Sequence, residues 1–398
     1  DDEGHGSHVA GIIAAEKNNS GMHGVAYEAD IYAFKAFNAS GVAPAGATGS
    51  AYGLVEAIGA IDIINNSWGS NGDCSSASAC RSAIGTSLYD NWEDVSQLST
   101  PKISVFAAGN EGENQPSTQC QTMAYNTDIS AVSVCVVAIS YSTLGTDNGH
   151  LASFSNKCGK ASSYCIAAPG DRIYSLTESG SYTFASGTSM AAPFVSGGLA
   201  LVMQEFSSLT PAQVVSRLLT TANDSGEYSQ TSIYGHGLMN LNAATTAVAK
   251  LQTINGSNLL DDPNTSYNDL VDNSFLSSAA FSNALNAALD GQTMEVYDSF
   301  DRANFKVEVD NFFTSGSYTS QNTIENHISR LQPKVKNKTT HKNLYGNFTV
   351  ETNGDYLQSS IFQSAGDFLA LGYNQSTNSF ENAVDPLSSF FNDSNFGN

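Results

Sequence analysis

The run Gly187-Thr188-Ser189-Met190-Ala191-Ala192-Pro193, continued by Phe194-Val195-Ser196-Gly197-Gly198-Leu199-Ala200-Leu201-Val202, decides how the rest of the chain is read. A serine set between glycine and small residues, at the mouth of a segment apolar on nearly every side, predicts a hydroxyl delivered from the start of a buried helix. Backbone N–H groups at such a start favour negative charge, and small neighbours let a carbonyl come close. Pro193 falls near that start on this reading, where proline costs a helix least. Taken alone, the run also fits an ordinary helix cap. Its surroundings have to decide.

Working outward, Ile31 to Phe37, Ile61 to Asn65, Ile103 to Ala108, Val132 to Ile139 and Tyr164 to Ala168 read as short strands. Between them, residues 4 to 15, Ala51 to Gly59 and Ser78 to Tyr89 read as helical. Thr210 caps a further helix through Leu219, with Pro211 in its first position. Short apolar strands alternating with helices predict an α/β fold of three layers, with a mostly parallel central sheet covered on both faces. Ligands of such sheets lie beyond the strand C-terminal ends, where Asn65-Asn66-Ser67 and Gly109-Asn110-Glu111 fall. This unit runs from residue 1 to 250.

Residues 251 to 398 differ in texture. Leu251 to Ser274 is rich in Asn, Asp and Ser and reads as a connector, and Phe281 to Leu289 as a short helix. Met294 to Val309, Leu344 to Val350 and Tyr356 to Tyr373 alternate imperfectly, as half-exposed antiparallel strands do. The expectation is a smaller β-rich region.

The formal charge of −22, from 38 acidic and 16 basic residues, argues against nucleic acid or an anionic membrane as a partner. Six cysteines lie in the first 165 residues; Cys74 with Cys80 and Cys158 with Cys165 suit small disulfide loops, leaving Cys120 with Cys135. That is one of about fifteen pairings, and it favours an oxidising compartment.

Three clusters could do chemistry together: His5, Asn110 and Ser189. Histidine is the usual base for a serine hydroxyl because its pKa lies near neutrality, and a side-chain amide donates to an oxyanion without changing charge. His8, three residues after His5, reads as a packing or hydrogen-bonding residue rather than a metal ligand. Glu111 and Asp171 read as solvated loop acids.

With His5-Gly6-Ser7-His8-Val9-Ala10-Gly11, Asn65-Asn66-Ser67-Trp68-Gly69, Ala107-Ala108-Gly109-Asn110 and the Ser189 motif in this order, the chain resembles the subtilisin-like serine proteases, or subtilases, over residues 1 to about 250. The resemblance implies His5 as general base, Ser189 as nucleophile, and Asn110 with the Ser189 N–H as oxyanion donors. It implies that Ser67, Trp68 and Gly69 bind an extended peptide by main chain, and that Gly109 lines the pocket before the cut. Substrates would be peptides or proteins and no cofactor is required. Calcium stabilises many family members, and the excess of carboxylates leaves room for it, although no stretch here carries a calcium-loop signature.

One departure is large. The family's triad aspartate lies on a strand well upstream of the histidine, and this chain begins four residues before His5. Asp1 and Asp2 match the turn before the histidine instead. The reading is therefore a secreted endopeptidase as the intact parent, with the upstream piece retained as an associated chain or continuous with it; the alternative is an inactive subtilase-like fragment used for binding. In the tail, Val296-Tyr297-Asp298-Ser299-Phe300-Asp301-Arg302 with Phe305-Lys306-Val307-Glu308-Val309 resembles the segment after the protease in bacterial subtilase autotransporters. That implies a bacterial cell-surface location and a C-terminal outer-membrane barrel in the full-length protein.

Overall fold

Strand Ile103–Ala107 and strand Ser133–Ile139 are buried at every residue, as expected of strands covered on both faces. They are the middle of a four-stranded parallel sheet in the computed structural model, which describes residues 1–140, 149–249, 251–252, 275–277, 291, 293–308, 313–315, 337–343, 346–353, 356–364, 367–371 and 375–376. In chain order the elements of the first part are α1 (His5–Ala14), α2 (Ala47–Ile58), β1 (Ile63–Asn66), α3 (Ala77–Ile84), α4 (Thr86–Ser96) and β2 (Ile103–Ala107). They continue with α5 (Thr118–Thr122), α6 (Thr127–Ala131), β3 (Ser133–Ile139), β4 (Cys165–Pro169), β5 (Ile173–Leu176), β6 (Tyr182–Ala185) and α7 (Thr188–Glu205). Helices α8 (Pro211–Thr220), α9 (Thr231–Tyr234) and α10 (Leu241–Ala244) close this part.

The sheet order is β1-β2-β3-β4, all parallel, and β5 and β6 form an antiparallel hairpin. Alternation along β3 sends Cys135, Val137 and Ile139 into one core with Phe106 of β2, Trp92, Tyr89 and Leu88 of α4 and Tyr52 of α2. Val134, Val136 and Ala138 face the other way, against α7, which crosses all four strands. This is the three-layer architecture the sequence predicts. The three disulfides are Cys74–Cys80, Cys120–Cys135 and Cys158–Cys165, the pairing that spacing favoured.

Three local expectations need correction. Residues 31–37 form no strand: their backbone pairs with no strand among the described residues, and Ile31 and Tyr32 stand 46% and 49% exposed. Alternation supplies a face for burial but not a neighbouring ladder, and extended backbone without one is not a strand. The single helix expected over Ser78 to Tyr89 is two, because Gly85 at φ 91° leaves the helical region and starts α4 anew. Pro193 lies inside α7, past its first turn. Its ring lacks the N–H that would bond the carbonyl four residues back, which is that of Ser189. The Ser67 hydroxyl takes that carbonyl instead, at 2.7 Å.

The chain divides into two compact units, Asp1–Val248 with Phe300–Ala303, and Ala249–Ser299 with Asn304–Asn398. Four residues from the tail thus belong to the first unit. Asp301 explains why: its carboxylate takes Arg217 Nη1 at 2.9 and 2.8 Å, both side chains being buried. Arg217 also donates Nε to the Ala244 carbonyl at 2.7 Å and Nη2 to that of Thr246, and its guanidinium lies over the Phe206 ring. A buried guanidinium stripped of its carboxylate would be costly, so Asp301 is a structural part of this unit.

In the second unit β7 (Leu251–Gln252), β8 (Phe275–Ser277), β9 (Thr293–Asp298) and β10 (Asn304–Glu308) are followed by β11 (Phe313–Ser315), β12 (Asn337–Asn343), β13 (Gly346–Asn353), β14 (Tyr356–Ser364), β15 (Asp367–Leu371) and β16 (Gln375–Ser376). One antiparallel sheet runs β10-β9-β7 and buries Leu251, Val296 and Val307; another runs β12-β13-β14-β15. The tail is β-rich as expected. The helix expected over Phe281 to Leu289, and residues 253–274 of the connector, lie outside the described residues.

Candidate active site

The start of α7 is fixed from both sides. Thr188, fully buried, donates its N–H at 2.8 Å and its hydroxyl at 3.0 Å to Asn110 Oδ1, while the same hydroxyl accepts the Gly109 N–H at 3.1 Å. With its oxygen doubly engaged, the Asn110 amide presents its NH2 outward. Among the described residues neither Asn110 Nδ2 nor the Ser189 N–H has an acceptor. A methyl group added at Gly187 would lie 3.5 Å from that Nδ2 and 3.6 Å from the Ser189 nitrogen. Glycine therefore keeps the space between two unused donors open, at the positive end of an 18-residue helix.

Ser189 Oγ donates to the Ser67 carbonyl at 3.1 Å. Ser67 is in turn held by Asn65, whose Nδ2 reaches the Ser67 hydroxyl at 2.9 Å and whose Oδ1 accepts from Ser196 of α7 at 2.8 Å. Trp68 packs edge-on against Phe106 at 5.6 Å and near Phe37, so its ring is partly a core element, while Gly69 backs onto Ser117 with no room for a side chain. Gly109, at φ 107°, brings the chain against Asn156, where a Cβ would sit 2.3 Å from the amide nitrogen.

His5 opens α1. Met190, beside Ser189, shares an apolar cluster with Val9 and Ile12 of α1 and is flanked by Phe194. Further along α7, Gly197 lies against Val25, whose N–H bonds the Ile12 carbonyl late in α1. The two helices thus run in the same sense, and their starts, carrying His5 and Ser189, lie on the same side of the unit. The His5 ring is open at the surface, yet the protein around it disfavours the imidazolium and lowers its pKa; His8 adds to this and Glu3 opposes it. Among the described residues the His5 ring has no hydrogen-bond partner. Two of the carboxylates just before it are engaged elsewhere: Asp1 Oδ2 accepts the Ser7 N–H at 2.6 Å, and Asp2 pairs with Lys35 at 2.6 Å.

His8 is 2% exposed, with Nε2 at 3.1 Å from the Ile173 carbonyl and 3.3 Å from that of Thr183. It fastens α1 to the β5–β6 hairpin, the packing role expected. Two contributors carried no signal of their own. Thr188 sat inside the quoted motif, but nothing in the run shows that its hydroxyl orients Asn110. Asn156, 3% exposed, accepts the N–H groups of Glu111 and Glu113 at 3.1 and 2.8 Å and donates to the Glu111 carboxylate at 2.8 Å, so Glu111, exposed as expected, is also a bonded part of this loop. Among the described residues no group of three His, Cys, Asp or Glu side chains is placed to hold a metal ion.

Residues 1–237 match the family described as subtilase, peptidase S8. The chain is 34% identical over 249 residues to subtilisin DY of Bacillus licheniformis, covering 61% of this chain and 78% of that protein. It is 30% identical over 300 residues to an extracellular serine protease of Serratia marcescens, covering 60% of this chain and 27% of the relative. Over 147 residues it is 35% identical to serotype-specific antigen 1 of Mannheimia haemolytica, 35% of this chain and 15% of that protein. Among solved structures, the self-cleaved protease domain of PatA superposes with a TM-score of 0.50 at 25% identity, covering 61% of this chain and 82% of that one.

Proposed function

The chain belongs to the subtilase family, and from that premise we propose that it is a secreted serine endopeptidase cutting peptide bonds through an acyl-enzyme on Ser189. The observation that carries this reading is the pair of unengaged donors, Asn110 Nδ2 and the Ser189 N–H, facing one open space beside the serine hydroxyl.

The chemistry follows from that geometry. A peptide laid along Ser67, Trp68 and Gly69 competes for the Ser67 carbonyl that now accepts Ser189 Oγ. A turn about χ1 then aims the hydroxyl at the scissile carbonyl, and His5, kept neutral by its depressed pKa, takes the proton as the C–O bond forms. The oxygen becomes an anion only in the tetrahedral state, so donors already in place favour that state over the bound substrate. His5 returns the proton to the leaving amine, and a water repeats the sequence on the acyl-enzyme.

The orienting carboxylate for His5 is not found among the described residues, and we propose that a segment outside these 398 residues supplies it, joined or as an associated chain. The cost of losing such a group is about 10⁴ in rate in the well-studied triads. The test is labelling by a fluorophosphonate. On the full-length protein, label should map to Ser189 and vanish in Ser189→Ala; a full-length protein that takes no label supports the inactive alternative instead.

The finer location, a passenger protease of a bacterial outer-membrane autotransporter, rests on the tail resemblance and on the antiparallel hairpin of β9 and β10. No helix among the described residues is long and apolar enough to cross a membrane. Membrane fractionation of the full-length protein, before and after protease shaving of cells, would place it at the surface or in the medium.

A further inference from the structure

The turn between β4 and β5 holds a carboxylate that reads from sequence as a solvated loop acid and is bonded on both oxygens. Asp171 Oδ2 accepts the hydroxyl of Ser140 at 2.7 Å, and Oδ1 accepts that of Ser186 at 2.7 Å. Ser140 follows the last residue of β3 and is 5% exposed; Ser186 lies three residues before Ser189. The Ser186 hydroxyl also accepts the N–H of Arg172, at 2.9 Å. Arg172 holds φ 54°, a left-handed conformation that a non-glycine residue keeps only where its surroundings impose it. Backbone bonds complete the frame: Gly187 N–H to the Gly170 carbonyl at 2.8 Å, and Gly170 N–H to the Ile139 carbonyl at 3.0 Å.

We propose that Asp171 is a positioning residue for the nucleophile, clasping the Ser186–Ser189 segment to the end of β3. It touches no reacting atom. Its two hydroxyl partners come from separate parts of the chain, and the one nearer the site belongs to the short link between β6 and α7 that delivers Thr188 and Ser189. Thr188 in turn sets the Asn110 amide, so a shift of Ser186 would move both oxyanion donors together. Such donors act only at the right place, and misplacement of about 1 Å by a remote change can cost on the order of a hundredfold. The strained turn at Arg172 has a role on this reading: it aims the Asp171 carboxylate and the Arg172 N–H at one hydroxyl.

The inference rests on Ser189 being the nucleophile, and the experiment separates the two. Full-length wild type, Asp171→Ala, Ser186→Ala and Ser140→Ala are compared for fluorophosphonate labelling rate, for kcat and KM on a peptide ester, and for thermal midpoint. Failure of the wild type to label would remove the underlying reading. With wild type labelled, Asp171→Ala should lower kcat about tenfold to a hundredfold with KM within roughly twofold. Ser186→Ala in the Asp171→Ala background should add little further loss, whereas independent sites would add. Should Asp171→Ala not fold, the single hydroxyl deletions carry the test: Ser186→Ala should show the same selective fall in kcat. Near wild-type kcat in a folded Asp171→Ala or Ser186→Ala protein, or losses that add in the double variant, would overturn the clasp.

Discussion

The two halves of the proposed catalytic pair are built to different standards. Around Ser189, Thr188 ties Asn110 and Gly109, Ser67 takes the carbonyl that Pro193 leaves free, and Asn65 braces Ser67 against Ser196 of α7. Around His5, no side chain among the described residues bonds the imidazole; of the acids just before it, Asp1 and Asp2 are occupied by Ser7 and Lys35, and Glu3 acts on the ring only through its charge. One half needs only a substrate. The other needs a partner. On the proposed function, the oxyanion donors are thus already in place in this fold, and proton transfer is the step that depends on what holds the ring.

The first way to break this comparison is to remove a donor from the prepared half. Asn110→Ala should lower kcat by about 10² to 10³ with little change in KM, a scale measured within this family rather than derived from this structure. If KM rose instead with kcat unchanged, Asn110 would serve ground-state binding and the preparation argument would fail. Thr188→Val keeps the shape but leaves Asn110 Oδ1 one donor fewer and the Gly109 N–H without its acceptor. A smaller loss follows, roughly tenfold in kcat, because the Thr188 N–H still holds the amide. Equal losses from the two substitutions would mean that the hydroxyl, not the backbone, sets the amide.

The contrast also explains what could be read in advance. Strands β2, β3 and β4 were legible because a buried parallel strand is a continuous apolar run bounded by polar turns, and α8 because Thr210 caps it and Pro211 takes its first position. His5, Asn110 and Ser189 could be singled out as candidates because a nucleophile, a base and an amide donor are distinct residue types in compact motifs. Asp171 was missed because its partners, Ser140 and Ser186, lie 31 and 15 residues away and a serine hydroxyl has no pattern of its own. Residues 31–37 misled because alternation speaks to burial and not to pairing. Asp301 was hidden for a related reason. A buried ion pair between α8 and a distant turn leaves no periodicity in either segment.

The smallest expected effect lies between the two halves, at His8. Its Nε2 faces the Ile173 and Thr183 carbonyls, so that nitrogen carries the proton, while Nδ1 is buried without a partner among the described residues. Charging the ring would place a second proton on Nδ1, where nothing accepts it. Burial lowers the His8 pKa, and the two carbonyls only partly offset that. The sign of the linkage is then fixed. The unfolded chain takes up a proton near the ordinary histidine value of 6.5 while the folded chain resists, so stability is full above that pH and falls as the pH drops below it. His5 shares this direction. Replacing His8 by Gln, which keeps a donor but cannot be charged, should flatten the fall in thermal midpoint between pH 7 and 5 at some cost in stability at neutral pH. A His8→Gln protein with the same acid slope as wild type would mean that the tether between α1 and the hairpin does not titrate, and that the acid sensitivity of this half resides elsewhere.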